Sequence, residues 1–271
     1  MNSPSNKVII VAAGRGRRLG GSTAEIPKCM VRVNGQPILH WQLRAFAAAG
    51  IHDIVIVRGY LGDRIDAGSF PVRFVDNPQW EHNNILASLM YATGEFSGGF
   101  YFSYCDIVYA PSVVTRLAVA TQSPAAASLI IDRRWADAYQ GRTLHPESEA
   151  ELTAVESAGP VSRVAQVGKG AVPAAQAVGE FIGLAHFSAA GAAALDKTWQ
   201  SALALGLDAP FGRAKALRQA YLTDALNAMA GAGERLAPVF IDGEWREIDT
   251  QQDLAAAELA ANLWTGNLST G

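Results

Sequence analysis

Gly14, Gly16, Gly20 and Gly21, interleaved with Arg15, Arg17 and Arg18 and followed by Pro27-Lys28, are the residues of this chain best suited to chemistry. Glycine lets a backbone approach a ligand closely and turn its N–H groups toward it. Arginine adds a planar fork for phosphate oxygens, and lysine a mobile point charge. Together they make a cradle for a phosphorylated ligand, although a plain surface loop with solvated arginines would carry the same residues. Two familiar phosphate motifs do not fit. Leu19 stands where the dinucleotide fingerprint needs its third glycine, and the Gly-Lys-Ser/Thr of the P-loop is missing.

Regular elements along the chain hold this loop. Residues 8–11 are apolar and largely β-branched, which predicts a strand buried on both faces, as at the centre of a parallel sheet. A helix over 37–49 and a second strand over 54–57 complete a right-handed βαβ unit. Further strands are expected at 72–75, 99–103, 126–131 and 238–241, with helices at 111–121, 188–205 and 213–230 and a last one from Asp249-Thr250. Asp106 ends the run at 99–103, where a carboxylate at a central strand's carboxyl end can hold Mg²⁺ against phosphates. Asn83 and Asn84 precede the stripe Leu86, Leu89 and Met90 and suit a helix N-cap. Between 132 and 187 the pattern changes: strand-like pieces recur, and 161–167 alternates imperfectly, as in a half-exposed antiparallel hairpin.

The bulk numbers allow one large α/β domain or two small ones. The chain has 271 residues, 49% hydrophobic and 17% charged, with net charge −3, so nucleic acid is not an expected partner. Cys29 and Cys105 give neither a disulfide framework nor a zinc spacing. The sequence has no signal-peptide core and no membrane-length apolar run, so a soluble cytoplasmic protein is expected. Frayed ends are expected over 1–6 and after 263.

Ala12-Ala13-Gly14-x-Gly16-x-Arg18-Leu19 after a strand, then Pro27-Lys28 and Gly35-x-Pro37-Ile38-Leu39, resembles the sugar-phosphate nucleotidyltransferase superfamily. Trp245-x-Glu247-Ile248-Asp249-Thr250 with Asp253-Leu254, and Gly179-Glu180-Phe181-Ile182-Gly183-Leu184, resemble its phosphocholine and aminophosphonate cytidylyltransferase-like subgroup. The resemblance implies a Rossmann-like, mixed and mainly parallel sheet flanked by helices, with an integrated acceptor-binding subdomain. It implies one domain over 1–265: a nucleotide half (1–131), an acceptor half (132–235) and a C-terminal strand and helix (236–265) returning to the metal site.

The roles it implies are as follows. Ala12, Ala13, Gly14, Gly16, Asn84, Ser88 and Cys105 bind the nucleotide, while Arg18 and Lys28 neutralise phosphates and the leaving pyrophosphate. Asp106 and Asp249 hold Mg²⁺. Lys169, aimed at the acceptor phosphate, joins Trp135, Tyr139, Glu180, Asp224 and Trp245 around a cationic acceptor head. The expected reaction is transfer of CMP from CTP to phosphocholine or 2-aminoethylphosphonate, with a homodimer left open. A sugar-1-phosphate enzyme using UTP, GTP or dTTP is one rival, and a non-catalytic nucleotide-binding protein on the same fold is another.

Overall fold

Alternation along the first strand sets the layers. Val8 and Ile10 pack on one face of the sheet and Ile9 and Val11 on the other, all of them buried. The computed structural model describes residues 6–158 and 161–265. In chain order the first elements are β1 (Lys7–Ala12), β2 (Arg32–Val33), β3 (Gln36–Pro37), α1 (Ile38–Ala48), β4 (Asp53–Arg58), β5 (Val72–Asp76) and α2 (Ile85–Met90). Next come β6 (Phe100–Tyr104), β7 (Ile107–Tyr109), α3 (Pro111–Ala120), β8 (Ala127–Asp132), α4 (Trp135–Tyr139), β9 (Leu152–Ala158) and β10 (Val161–Val167). The chain ends with β11 (Gly179–Phe187), α5 (Ala189–Leu203), α6 (Leu222–Gly231), β12 (Leu236–Ile241), β13 (Trp245–Glu247) and α7 (Gln251–Thr265).

The main sheet has nine strands, in the order β10-β9-β11-β6-β1-β4-β5, with β8 joined to β11 and β12 beyond it. It is parallel where β6, β1, β4 and β5 meet and antiparallel around β11. The mixed α/β sheet is thus as expected. Strands β9, β10 and β11 extend the same sheet that β1, β4, β5 and β6 build. Helices α1 and α3 cover one face through Leu39, Leu43, Phe46, Val113 and Leu117. Helices α2, α5 and α6 cover the other. The β9–β10 hairpin is antiparallel with an irregularity between Val164 and Gln166, which accounts for its imperfect alternation.

Two expectations are corrected. The helix expected over 213–230 starts only at Leu222. Gly212 has φ +58, Phe211 and Ala214 bridge, and Asp224 accepts from the Tyr221 N–H at 2.9 Å, so the acid marks a helix start and not a helix middle. Fraying after 263 does not begin there, since α7 runs to Thr265. Asn6, also expected to fray, accepts from the Asp53 N–H at 3.2 Å, and the remaining residues of that expectation, 1–5 and 266–271, lie outside the described residues.

A small ribbon matters more for the site. β7 and β13 pair antiparallel with Ile107 opposite Glu247, and the Ile248 N–H donates to the Asp106 carbonyl at 2.8 Å. Residues far apart in sequence are thereby fixed side by side.

Candidate active site

Lys28 is the centre of the site. It is buried, following Pro27 in a short turn of 3-10 helix over Lys28–Met30. Its ammonium donates to Asp106 Oδ2 at 2.6 Å and to Asp249 Oδ1. Arg18 Nη2 pairs with Asp249 Oδ2 at 2.6 Å, and Arg18 Nη1 lies 3.8 Å from Glu149 Oε2. Burial would lower the Lys28 pKa, but Asp106 and Asp249 outweigh it and hold it raised. Burial likewise pushes Asp249 up, but Lys28 and then Arg18 pull it well below the usual carboxylate range.

The glycine loop fits around this lysine. Gly16 has φ +64, and a Cβ there would meet the Lys28 Cδ at 2.8 Å. Thr23 Oγ1 donates to the Gly16 carbonyl at 2.9 Å and closes the loop, while buried Leu19 anchors it beside Ile38 and Ile248. The residue that spoils the dinucleotide fingerprint is therefore a core anchor.

The cleft facing the loop has a volume of about 380 Å³. Ala13, Gly14, Gly16, Arg18 and Lys28 line one end. Asn83, Asn84 and Ser88 line the side, with Cys105 and Asp106 beside them. Asn84 caps α2 through the Ile85 N–H at 2.9 Å, and Asn77 Nδ2 donates to Ser88 Oγ at 2.9 Å and to Asn83 Oδ1 at 2.9 Å. Burial raises the pKa of both cysteines, Cys29 to about 12, so neither is a nucleophile.

The other end is acidic and aromatic. Glu149, Glu151, Glu180 and Glu247 line it with Tyr104, Phe181 and Trp245. Tyr104 donates to Glu151 Oε2 at 3.1 Å, Tyr139 donates to Glu180 Oε1 at 2.8 Å, and Lys169 pairs with Glu149 at 3.1 Å. Among the described residues Glu180 Oε2 is buried with no hydrogen-bond partner. Burial pushes Glu151 up to about 7 against the pull of Lys169 and Tyr104, and pushes Glu180 up to about 8 against that of Tyr139.

Some sequence-predicted residues stand elsewhere. Ala12 is the buried end of β1 and does not line the cleft. Trp135 packs with Ala150, Leu152 and Val172 behind the wall, because an indole that large fills a satellite core. Tyr139 sits there too, reaching the cleft only through its bond to Glu180. Trp245 does line the cleft, its Nε1 donating to Asp132 at 2.8 Å. The carboxylate of Asp224 is spent on the Arg213 and Tyr221 N–H groups and faces a neighbouring groove.

Other residues escaped the sequence. Trp80 lines the cleft near the glycine loop, with Tyr60 against its edge at 5.3 Å. His145, fully buried, has Nδ1 at 3.3 Å from Asp249 Oδ2, and burial and then Arg142 lower its pKa to about 4. Neither sits in a periodic or motif context that would single it out.

As a test for a divalent cation, the donor set is favourable. Asp106 and Asp249 share one ammonium, and Asp106 Oδ1 is buried without a hydrogen-bond partner among the described residues. All-carboxylate oxygen donors suit a hard ion such as Mg²⁺. His145, Glu247 and Asp249 also offer ligand atoms within 4.8 Å of one another.

A glycine-arginine cradle at the carboxyl edge of such a sheet, facing two converging aspartates, defines the class as nucleotidyltransferase. Residues 8–150 match the model of the MobA-like NTP transferase domain, and the chain belongs to that family. It is 28% identical over 255 residues to the CTP:phosphoglutamine cytidylyltransferase of Campylobacter jejuni, covering 91% of this chain and 96% of that one. It is 35% identical over 96 residues to the choline-phosphate cytidylyltransferase of Streptococcus pneumoniae, covering 35% of this chain and 42% of that one. Among solved structures, the CTP:phosphocholine cytidylyltransferase of S. pneumoniae superposes with TM-score 0.69 at 20% identity, covering 94% of this chain and 98% of that one. The inositol-1-phosphate CTP transferase of T. maritima superposes with TM-score 0.72 at 20% identity, covering 98% and 99%. Among the described residues no helix is long and apolar enough to cross a membrane.

Proposed function

We propose that this nucleotidyltransferase is a Mg²⁺-dependent cytidylyltransferase. In this reading it moves CMP from CTP onto a phosphate or phosphonate oxygen of a small acceptor with a cationic head, phosphocholine or 2-aminoethylphosphonate in type. The observation that carries the reading is the division of charge within one cleft. Arg18 and Lys28 stand at the glycine-loop end, and buried carboxylates between aromatic walls stand at the other. A cationic head would find a counter-charge in Glu151 and the free oxygen of Glu180, and ring faces in Tyr104 and Trp245. The cytidylyltransferase names of the relatives support CTP as donor.

The reaction needs little covalent help from the protein. An acceptor oxygen attacks the α-phosphorus in line, the new P–O bond forms, and the bond to pyrophosphate breaks. The attacking group is already an anion, so no general base is required; positioning and charge neutralisation do the work. Arg18 and Lys28 hold the phosphates and the developing charge on pyrophosphate, aided by the Gly14 and Gly16 N–H groups. Mg²⁺, held by Asp106 and Asp249, would neutralise charge between the α-phosphate and the acceptor oxygen. Lys169 orients the acceptor phosphate.

Pyrophosphate release screened across the four common triphosphates, with phosphocholine, 2-aminoethylphosphonate and sugar 1-phosphates as acceptors, tests the reading. The expected result is turnover with CTP and a cationic acceptor. Turnover with UTP, GTP or dTTP and a sugar phosphate instead would replace it.

Acceptor affinity is also expected to depend on pH. Glu151 and Glu180 have raised pKa values, so both carry protons at lower pH and become anionic as the pH rises through about 7 and 8. A cation binds the ionised pair better. The KM for phosphocholine, relative to that for its neutral carbon isostere, is therefore expected to fall about tenfold between about pH 6 and about pH 9. A ratio independent of pH would remove these two acids from the acceptor site.

A further inference from the structure

Beside the cleft a second groove opens, with a volume of about 630 Å³, and the two share Asn83, Asn84, Lys169 and Tyr221. Their charges are opposite in character. The adjoining end of the cleft presents Glu149, Glu151 and Glu180, Lys169 stands at the junction paired with Glu149, and the groove presents the cations Arg213 and Lys215. Arg213 Nη2 leans over the turn that carries Lys169, 3.3 Å from where a Cβ on Gly170 would stand. Among the described residues no acid pairs with the side chain of Arg213 or Lys215. The groove's buried acid, Asp224, is occupied at both oxygens by backbone N–H groups, one of them that of Arg213, which it pins in place at 2.8 Å. Glu81 is the groove's other acid and is exposed.

We propose that this groove is a subsite for a carboxylate carried by the acceptor, so that the acceptor is an α-amino acid bearing a phosphate or phosphonate. The inference rests on the cytidylyltransferase reading above and narrows it. A ligand with an ammonium and a carboxylate on one carbon would straddle the junction at Lys169 and Tyr221. Its cation would face Glu151 and Glu180, and its anion Arg213 and Lys215. A guanidinium fork is the group best matched to a carboxylate. A choline head would leave the groove's two cations unused.

Matched pairs test it. ω-Phosphono-α-amino acids of increasing chain length are assayed with CTP and Mg²⁺ beside the aminoalkylphosphonates that differ only in lacking the carboxylate. At the length that fits, kcat/KM is expected to be about tenfold or more higher for the carboxylated member, the scale of one charge-assisted contact. The Arg213→Ala/Lys215→Ala double variant is expected to bring that ratio down toward one. Both side chains are exposed, and Arg213→Gln and Lys215→Gln taken singly repeat the test if the double variant does not fold. A ratio at or below one at every length overturns the inference, as does a ratio that survives the variants. Turnover of the aminoalkylphosphonates with a ratio of one leaves the cytidylyltransferase reading standing alone. No release from any pair, and none from phosphocholine, with any triphosphate takes both down.

Discussion

Asp249→Asn is expected to lower kcat for pyrophosphate release by about 10³-fold or more in a protein that still folds. Asp249 is 4% exposed, and each of its oxygens holds one of the two cations assigned to the triphosphate, Lys28 and Arg18. Its depressed pKa keeps it charged throughout the working range. The amide keeps the shape and one acceptor oxygen but not the charge. Lys28 would then rest on Asp106 alone, and Arg18 would keep only the distant Glu149. The same change removes half of the candidate Mg²⁺ donor pair, so positioning and neutralisation fail together. Removing one preorganised transition-state contact costs about 10²–10³ in kcat, and here more than one is lost. Asp106→Asn should act in parallel. Steady-state assays at saturating Mg²⁺, with the thermal midpoint followed in the same samples, decide the matter. Activity within tenfold of the parent in either variant would mean that these aspartates do not carry the reaction.

How much of this was legible in the sequence depends on whether the signal is local. Residues 8–11 announce a doubly buried strand through β-branching alone, and β1 is paired on both sides. Leu39, Leu43 and Phe46 announce a helix face, and all three are fully buried. The helix boundary at Leu222 was also written locally, in Asp224, an acid suited to a first turn; the run of helix-favouring residues before it obscured the signal. The meeting of Asp106 and Asp249 is different in kind. It depends on the β7–β13 pairing, which spans well over a hundred residues and rests on two three-residue strands too short to read. The motif resemblance named both aspartates, but nothing local to either places Lys28 between them. Trp135 and Tyr139 fail for the reverse reason. Aromatic residues suit a cation box and a satellite core equally, and only the packing against Ala150, Leu152 and Val172 separates the two. Glu151 looks like a surface acid in a polar stretch, and its burial is set by strands that arrive from elsewhere.

Lys28→Met is expected to produce the largest loss of stability, and the loss should respond to Mg²⁺. The lysine stem packs under Gly16, and methionine keeps most of that volume while removing the charge. Asp106 and Asp249 would then face each other with Arg18 as the nearest remaining cation on Asp249. Taking one partner from a buried ion pair costs about 3–5 kcal/mol, which for a chain of this size lowers the thermal midpoint by roughly 10 °C. In the parent protein an entering cation must compete with the ammonium that already joins the two carboxylates. In the variant it need not, so millimolar Mg²⁺ should recover much of the lost midpoint by binding the folded state. The same addition should shift the parent far less, and activity should stay low in the variant because the phosphate-binding charge is gone. Thermal melts of both proteins with and without MgCl₂, against a monovalent salt of matched ionic strength, read this directly. If the variant were as stable as the parent, or if Mg²⁺ shifted both proteins equally, Lys28 would not be the group that holds the two aspartates together before a metal arrives.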